Sequence, residues 1–333
     1  MNHKNQTIST TCLINNYNYE QFISEAINSA LNQSVKFDEI IVVDDASTDN
    51  SAKIITKIAE QENIKYILKE KNQGQLSSFN AGVLAATGDL IFFLDADDIY
   101  EFQYLENAIN FYQSNPECDF LFCAYRKFGA AEGLFQHDES DCDLGYSVLK
   151  TFYLNQWIGS ITSTLSMRKE IALKILPIPY LDDWRVRADD CLVWSSSLVG
   201  AKKFYLAQPL VRYRIHASNN FSNINITSSH FDDSFEYRRA LKRSAIFNYV
   251  MNKNSISVPL PLAYTAICEL KTIPFPSESD FVDYFKVIFV FESKIYWKLK
   301  GIYLLFVYFC KVANNKKSKN KKLSKTNFFK FKT

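Results

Sequence analysis

Three carboxylates within four residues follow a short apolar run in the segment Phe92–Asp98. The run Leu90–Leu94 predicts a buried strand, which must reach the surface where the acids begin because carboxylates are rarely buried without a partner. In open α/β sheets, ligands bind at this carboxyl end of the strands. Asp95 and Asp97 share a face in extended chain, so they can together hold one divalent cation through oxygen ligands. The alternative is a solvated turn in which Asp98 caps the next helix.

The elements that must position these acids alternate between strands and helices over the first 100 residues. Strands are predicted at Ile8–Ile14, Ile40–Val43, Tyr66–Leu68 and Leu90–Leu94, and helical spacing of apolar residues at 22–31, 54–59 and 74–88, the last with Gly88 as C-cap. This alternation predicts βαβ units in an α/β fold with a Rossmann-like, mostly parallel sheet flanked by helices.

The pattern changes after Pro116. Strands are predicted at residues 120–125, 160–167 and 210–215, and a loop that leads into a helix at 182–200. From about His230 onward the apolar positions are helical, with prolines as breakers. The chain is therefore expected to end in a helical extension.

The cysteines, the first ten residues and the distribution of charge limit the kinds of protein that this sequence can be. The seven cysteines of the 333 residues are scattered without a CxxC pair, which argues against a disulfide framework or a zinc site and fits a reducing cytosol. Residues 1–10 lack the apolar core of a signal peptide, so we expect a cytoplasmic protein. Residues 311–333 hold nine lysines and no acid, whereas residues 1–310 carry 29 basic and 36 acidic residues, a net charge of −7.

Three segments stand in a characteristic order: Ile41–Asp49, Asn72–Gly82 and Thr87–Asp98. In this order and spacing they resemble the N-terminal half of the family-2 glycosyltransferases. Residues 16–18 and 30–34 match the entry loop and first helix end of that family, and the resemblance is dense over residues 7–100, moderate to about 220 and absent afterwards. It implies a GT-A fold, a nucleotide-diphosphate sugar donor, a divalent metal cofactor (Mn²⁺ or Mg²⁺) and inversion at the anomeric carbon.

The resemblance also assigns donor-binding residues: Asn15, Tyr17, Asp45, Gly74, Asn80, Asp95 and Arg214. Asp45 is a better candidate than Asp44 to accept a hydrogen bond from the N3–H of uracil; alternatively, either acid caps the following helix. Tyr17 can stack on the base or be a simple rim aromatic. Gly74 allows close backbone approach, and the amides that follow it can meet phosphate or ribose.

One departure concerns the nucleotide. Many family members have arginine, which commonly touches the nucleotide, where this chain has Phe79. A subgroup with the Gln75-to-Asn80 pattern seen here also exists, so the departure bears on the identity of the base rather than on the family.

Two later segments supply candidates for chemistry. Arg187–Trp194 resembles the "ED" segment of the family, which implies Asp190 as general base and Asp189 as the residue that orients it or contacts the acceptor. The alternative is an acid pair favoured by the dipole at a helix start. Arg212–His216 resembles the "YRxH" strand, which implies that Arg214 approaches the diphosphate.

In that same strand His216 is a candidate third metal ligand beside Asp97 and Asp95, a hydrogen-bond donor to the leaving group, or a structural histidine. By resemblance alone, Trp157 and Ser160–Ser163 form the acceptor-side wall.

The predicted organisation is a nucleotide-sugar-binding half at 1–115, an acceptor-binding and catalytic half of the same domain at 116–225, and a helical region with a basic tail at 226–333. The predicted function is a metal-dependent inverting glycosyltransferase that moves a sugar from a donor, predicted to be UDP-linked, to a hydroxyl of a surface-glycan or lipid-linked acceptor.

Two alternatives stay open. A sugar-phosphate nucleotidyltransferase would have a glycine-rich phosphate loop with a basic residue after the first strand, where this chain has Asn15–Asn18. A degenerate scaffold that binds nucleotide sugar without turnover is the other; it has no need of a base such as Asp190.

The C-terminal region predicts a surface for lipid. Gly301–Cys310 contains ten residues without charge, too short for a bilayer span of about 20. With lysines around it, it predicts an interfacial helix on anionic lipid at the inner face of the cell membrane; the alternative is a core helix with a tail. Nucleic acid is not expected as a partner, because the body is acidic and has no binding motif. On the lipid interpretation, a chain that ends near Lys300 is expected to stay soluble and to keep hydrolysing donor.

Overall fold

A computed structural model describes residues 8–216, 233–257 and 261–329, without side chains at 233–236 and 315–329. The chain divides into two compact units. The first contains residues up to Ser147 together with Trp157–Ile256, and the second contains Val148–Gln156 together with the chain from Ser257. The predicted functional division at residues 115 and 225 stays a prediction.

Ten strands of the described chain belong to one sheet. They are β1 Thr10–Asn16, β2 Glu39–Asp44, β3 Lys65–Leu68, β4 Leu90–Asp95, β5 Ile99–Tyr100, β6 Phe120–Gly129, β7 Gly133–Phe135, β8 Cys142–Gly145, β9 Leu165–Arg168 and β10 Lys203–Ile215. The main order is β3-β2-β1-β4-β9-β6-β10-β5, while β7 pairs with β6 and β8 with β10.

The helices are α1 Ile23–Leu31, α2 Ser51–Gln61, α3 Gln75–Ala85, α4 Tyr104–Ser114, α5 Val148–Leu154, α6 Lys169–Ile175, α7 Ala188–Leu198, α8 Asp233–Lys253, α9 Leu262–Leu270, α10 Glu278–Lys286 and α11 Ile295–Phe329. Short 3-10 turns lie at Thr162–Thr164 and Asp182–Trp184, and a π-helical turn at Val287–Phe291. The helices α5, α9, α10 and α11 belong to the second unit.

Strands β3, β2, β1 and β4 are parallel, as the alternating pattern predicted. Strand β9 runs antiparallel between β4 and β6, and β6 is parallel to β10. In the parallel part, Asn15 pairs with Asp95 and Asn16 with Asp44. The polar residues that end β1, β2 and β4 therefore meet at one edge of the sheet, the edge where such sheets bind ligands.

Apolar side chains on both faces of the sheet stabilise these strands. Leu90–Leu94 is fully buried, as expected for a strand covered by helices on both sides. Phe79 of α3 is also fully buried, with its ring 5.3 Å from the ring of Phe93. The side chain that replaces the common arginine is therefore a core residue.

Several local predictions are wrong. Of the predicted strand at 160–167, the first part is a coil and a 3-10 turn, and only Leu165–Arg168 is extended. Helix α3 ends before Gly88, with Ala86 as its C-cap. A Cβ at Gly88 would lie 2.7 Å from the backbone nitrogen of Thr11, so a glycine is needed there for close chain packing.

Asp98 does not cap a helix. Its buried carboxylate accepts hydrogen bonds from the hydroxyl of Ser163 at 2.6 Å and from the backbone N–H of Arg214 at 2.9 Å. It joins the turn after β4 to the end of β10, because a buried carboxylate needs such donors.

The second unit has its own apolar core, formed by α5, α9, α10, the π-helical turn and α11. Leu305 of α11 is 5% exposed and belongs to this core, and a Cβ at Gly301 would lie 2.6 Å from the Cβ of Ala263. Residues 301–312 therefore contribute to this core, as in the alternative of a core helix; how a chain that ends near Lys300 behaves stays a prediction. Among the helices of the described ranges, none has the length and apolar character needed to cross a membrane.

Candidate active site

A cavity of about 580 Å³ lies at the carboxyl edge of the parallel strands. Its polar lining includes Asn15, Tyr17, Asp45, Gly74, Gln75, Asp95, Asp97, Lys127, Thr162, Arg185, Arg187 and Asp189. Trp157, Ile161, Tyr213 and Ile215 add apolar surface. Donor-site and catalytic candidates from distant parts of the sequence thus share one cavity.

Asp95 and Asp97 are the acids at the end of β4 that line this cavity. Burial, followed by the negative charge of Asp97, raises the pKa of Asp95 to about 7, although hydrogen bonds from Asn15, Gln75 and Thr162 oppose the shift. The negative charge of Asp97 therefore disfavours the ionisation of the buried Asp95 carboxyl.

These residues fit a divalent cation, because a positive charge between the two carboxylates would remove that repulsion. Asn15 contributes a further buried oxygen, Oδ1, without a hydrogen-bond partner. Within the described residues, no group of three or more His, Cys, Asp or Glu side chains could hold a metal ion. Mg²⁺ and Mn²⁺ sites of nucleotide enzymes commonly need only one or two carboxylates, with water and phosphate oxygens as the other ligands.

His216 is not among the residues that line the cavity. Its Nε2 lies 2.9 Å from Oδ2 of Asp97, and its ring packs 4.8 Å from Phe22 and 5.6 Å from Tyr19. The predicted role as third metal ligand is not supported by this placement. The histidine instead holds the Asp97 carboxylate, in the way outer residues orient metal-binding groups.

Asp45 lines the cavity, whereas the carboxylate of Asp44 is bound by Asn16 and Ser47. Asp45 accepts hydrogen bonds from the backbone N–H groups of Gly74 (2.6 Å) and Gln73 (3.1 Å), and it pairs with Lys69. Of the two acids, Asp45 is therefore the one that a ligand in the cavity can reach, and its role toward a base stays a prediction.

Gly74 lines the cavity and allows a close backbone approach, which is made by another segment of the protein. Its φ is +88°, and a Cβ there would lie 2.3 Å from Cα of Arg185. Its N–H is bound to Asp45, and the N–H of Gln75 donates to the carbonyl of Arg185 at 2.9 Å. Gly74 therefore allows two protein segments to approach each other, and these two amides are already used by the protein.

Gln75 connects the donor-side acids to α7. Its Nε2 donates to Asp95 Oδ1 at 2.9 Å and lies 3.3 Å from Thr162 Oγ1, while its Oε1 accepts from the N–H of Ala188 at 2.9 Å. One side chain thus holds Asp95 and the first turn of the helix that carries Asp189.

The structure places Asp189 and Asp190 in different surroundings. Asp189 lines the cavity, and burial, then the charges of Asp190 and Asp95, raise its pKa to about 7. Asp190 is fully buried, 3.2 Å from Arg187 and 3.3 Å from Arg239, and is not part of the lining. The predicted order of roles, with Asp190 as base, is not supported, because its carboxylate is enclosed by two arginines.

Two further predicted residues do not reach the cavity. Asn80 makes both of its side-chain hydrogen bonds with the backbone of Ile178, at 2.9 and 3.0 Å. Arg214 donates to the backbone oxygen of Asp97 at 2.8 Å and to Glu25 at 2.6 Å. Because side chains alternate along a strand, β10 presents Tyr213 and Ile215 to the cavity instead.

The cavity has cations that were not assigned from the sequence: Lys127, Arg185 and Arg187. Lys127 lies on β6 opposite Tyr213 of β10. Arg187 precedes α7 with a φ of +62° and donates to Asp190. The only sequence signal was the position of Arg187 inside the segment that resembles "ED".

A buried lysine was also missed. Lys203 is fully buried and donates to the carbonyls of Val193 at 2.7 Å and Ile158 at 2.8 Å, with its ammonium 4.5 Å from the centre of the Phe120 ring. Burial lowers its pKa well below the ordinary value. It fixes α7 to the segment before Ile161, and both contribute to the cavity wall.

Comparisons with known proteins agree with this fold. Residues 11–176 match the family model of Glycosyl transferase family 2. A Nostoc sp. protein described as "uncharacterized glycosyltransferase alr2836" is 38% identical over 216 residues, covering 62% of this chain and 65% of that protein. "Putative glycosyltransferase EpsH" of Bacillus subtilis is 28% identical over 222 residues, covering 64% of this chain and 63% of that protein. The chain thus spans somewhat less than two thirds of the length of these two relatives.

Among solved structures, S. aureus TarS 1–349 in complex with UDP-GlcNAc superposes with a TM-score of 0.53 at 19% identity, covering 86% of this chain and 74% of that one. This likeness shows the GT-A fold that the resemblance predicted. The family match over residues 11–176, together with the relatives named as glycosyltransferases, shows that the chain belongs to the family-2 glycosyltransferases.

Proposed function

We propose that this protein is a metal-dependent, inverting glycosyltransferase that moves a sugar from a UDP-linked donor to a hydroxyl of an acceptor. The observation that carries the proposal is that Asp189, whose pKa is raised to about 7, lines the same cavity as Asp95 and Asp97. A base and a pair of cation-binding acids are the parts that transfer from a nucleoside diphosphate to an alcohol requires.

The nucleoside is assigned to the part of the cavity formed by Asp45 and Tyr17. Three groups donate to Asp45: Lys69, Gly74 and Gln73, whose N–H is shared between the two carboxylate oxygens. A carboxylate offers about four acceptor positions, so N3–H of uracil would be a fourth donor. Tyr17 is 42% exposed at the rim, where it can stack on a base. The complex of TarS with UDP-GlcNAc supports UDP as the nucleotide.

The diphosphate is assigned to the region of Asp95, Asp97 and the three cationic side chains of the lining. The lining has four carboxylates against Lys127, Arg185 and Arg187, so by itself it would repel a diphosphate. A divalent cation held by Asp95 and Asp97 would neutralise charge on the leaving diphosphate. Lys127 and Arg187 can then stabilise the charge that develops as the bond to the sugar breaks.

Asp189 takes the proton of the acceptor. As the acceptor oxygen forms its bond to the anomeric carbon, its hydrogen passes to Asp189, and the bond between that carbon and the diphosphate oxygen breaks with its electron pair. The nucleoside diphosphate leaves from the opposite face, so one displacement inverts the anomeric centre. Both substrates must be held in line for this to occur.

The acceptor is assigned to the wall formed by Trp157, Ile161 and Thr162. Trp157 is 37% exposed, and an aromatic face at a cavity wall suits the apolar face of a sugar ring. We propose a surface-glycan or lipid-linked acceptor, which rests on the family resemblance alone.

The experiment is a panel of UDP-, GDP- and CDP-sugars, with water and with simple glycosides as acceptors, with Mn²⁺ and after EDTA. We expect UDP-sugar turnover that EDTA removes and Mn²⁺ restores, and a product of inverted anomeric configuration by NMR. Asp97→Asn should lose turnover yet stay folded. Turnover that EDTA leaves intact would refute the metal, and retained configuration would refute the single displacement.

The same panel separates the alternatives. Formation of UDP-sugar from sugar phosphate and UTP would indicate a nucleotidyltransferase. UDP-sugar binding by calorimetry, without turnover across the panel, would indicate a binding scaffold.

A further inference from the structure

Helix α11 carries apolar side chains on two faces. Leu305 belongs to the face that packs into the core of the second unit. Ile295, Leu299, Tyr303 and Phe306 are each more than 60% exposed. Their spacing of four, four and three residues places them in one stripe along the helix. The helix thus has a second apolar face that the described part of the chain leaves open to solvent.

The stripe continues onto the neighbouring π-helical turn. The ammonium of Lys298 lies 5.5 Å from the centre of the Phe289 ring, and that ring stacks on Phe285 at 5.5 Å with an interplanar angle of 10°. Phe289 is 54% exposed and Phe285 is 40% exposed. The apolar surface, defined here as the aromatic face, therefore extends over α11, the π-helical turn and the end of α10, and is larger than the isolated apolar residues of ordinary surfaces.

The sequence of α11 carries charges of one sign. Ile295–Phe329 contains nine lysines and no acidic residue. Lys298 and Lys300 extend over aromatic rings, Lys300 at 4.9 Å from the centre of Trp297. Long lysine stems can lie along apolar surface while the charge stays in water. Positive charges beside an aromatic stripe favour a partner that has a negatively charged surface over an apolar interior.

We propose that the aromatic face binds the surface of an anionic membrane. Exposed Tyr, Phe and Leu side chains would enter the headgroup region, where amphipathic rings are favoured. The lysines would lie over the anionic headgroups, and this attraction would weaken with salt. A second copy of the chain is disfavoured as the occupant, because two such faces would bring their lysines together.

The test uses the full chain and vesicles of phosphatidylcholine with or without phosphatidylglycerol, with bound protein measured by sedimentation. We expect binding to the anionic vesicles that decreases as salt rises, and little binding to pure phosphatidylcholine. The double variant Tyr303→Ser/Phe306→Ser should bind at least about 10-fold more weakly, and Lys298→Gln and Lys300→Gln about 5-fold each.

Phe102→Ser is the matched control, because Phe102 is 65% exposed but lies in the first unit; it should bind like the unmodified chain. All variants should keep the same thermal unfolding temperature and the same UDP binding. Equal binding to both vesicle types, or no effect of the double variant, would overturn the proposal. So would a concentration-dependent dimer, without vesicles, that only the double variant abolishes.

Discussion

Asp189 and Asp190 are adjacent on the first turn of α7, but Asp189 lines the cavity while Asp190 is enclosed between Arg187 and Arg239. Consecutive residues of a helix differ by about 100° in direction, so one turn can present a reactive acid on one side and bury its neighbour on another. The buried acid and its arginines hold the turn, and its charge raises the pKa of Asp189.

This arrangement predicts different effects for the two isosteric variants. Asp189→Asn should lower kcat by about 10²- to 10⁴-fold, the usual contribution of a general base, with UDP affinity unchanged. Asp190→Asn should lower kcat less but reduce the free energy of unfolding by about 1–3 kcal/mol, because buried arginine hydrogen bonds are lost. Steady-state kinetics and urea unfolding check both. A larger loss of kcat in Asp190→Asn would return the role of base to Asp190.

The raised pKa of Asp189 predicts a pH dependence. A base must be deprotonated to act, so kcat/KM should rise with pH and reach half its plateau near pH 7, where the carboxyl loses its proton. In Asp190→Asn the like charge that raises this pKa is absent, so the half-maximum should move to lower pH. A half-maximum that stays at the same pH in both proteins would show that another group limits the rate.

Much of the donor side could be predicted from the sequence, because its signals are local. Asn15 and Asp95 lie at the ends of buried strands and Asp45 follows one directly, and parallel strands bring such residues to one edge. No assumption about distant contacts was needed to place them together.

The remaining parts depend on contacts between distant segments. The side chain of Asn80 does not reach the cavity, because it is hydrogen-bonded to the backbone of Ile178, which lies 98 positions later. Arg214 was predicted to face the cavity, but Tyr213 does so. Alternation along a strand requires that these neighbours point to opposite faces, and the register of β10 with β6 decides which of them faces the cavity. That register also brings Lys127 to the site, two residues after an apolar run that gave no sign of function.

A comparison of substitutions at Gly74 and Gly200 distinguishes the cost of backbone strain from the cost of a steric clash. Both have positive φ, +88° and +76°, but a Cβ at Gly74 would lie 2.3 Å from Arg185 Cα, whereas a Cβ at Gly200 would meet nothing within 4 Å. Gly200→Ala should therefore cost only the conformational energy, about 1–2 kcal/mol. Gly74→Ala should cost more in urea unfolding and should also weaken UDP binding, since the Gly74 N–H holds Asp45. Equal costs and equal UDP affinity would contradict this packing.

The contact between His216 and Asp97 predicts a change in metal requirement. His216→Phe keeps a ring beside Phe22 and Tyr19 but removes the 2.9 Å contact with Asp97. We expect the Mn²⁺ concentration for half-maximal activity to rise about 10-fold, as for other outer residues of metal sites, with kcat at saturating Mn²⁺ nearly unchanged. Phe22→Leu is the control for packing. A kcat that saturating Mn²⁺ does not recover would indicate that the imidazole binds the metal directly.

The side-chain amide of Gln75 holds both Asp95 and the start of the helix that carries Asp189. We therefore expect its removal to affect both the metal-binding acids and the proposed base. Gln75→Met keeps the length of the side chain but removes the hydrogen bonds to Asp95 and to the N–H of Ala188. The pKa of Asp95 should rise further, since the amide donor lowers it, and an unpaired buried N–H costs about 1–3 kcal/mol. We expect lower kcat, a rate that recovers partly at higher pH, and reduced stability in urea. Gln73→Met is the matched control, because Gln73 lies two residues earlier, in the loop before α3, with an exposed side chain. If it lowers kcat equally, the segment rather than the amide of Gln75 is responsible.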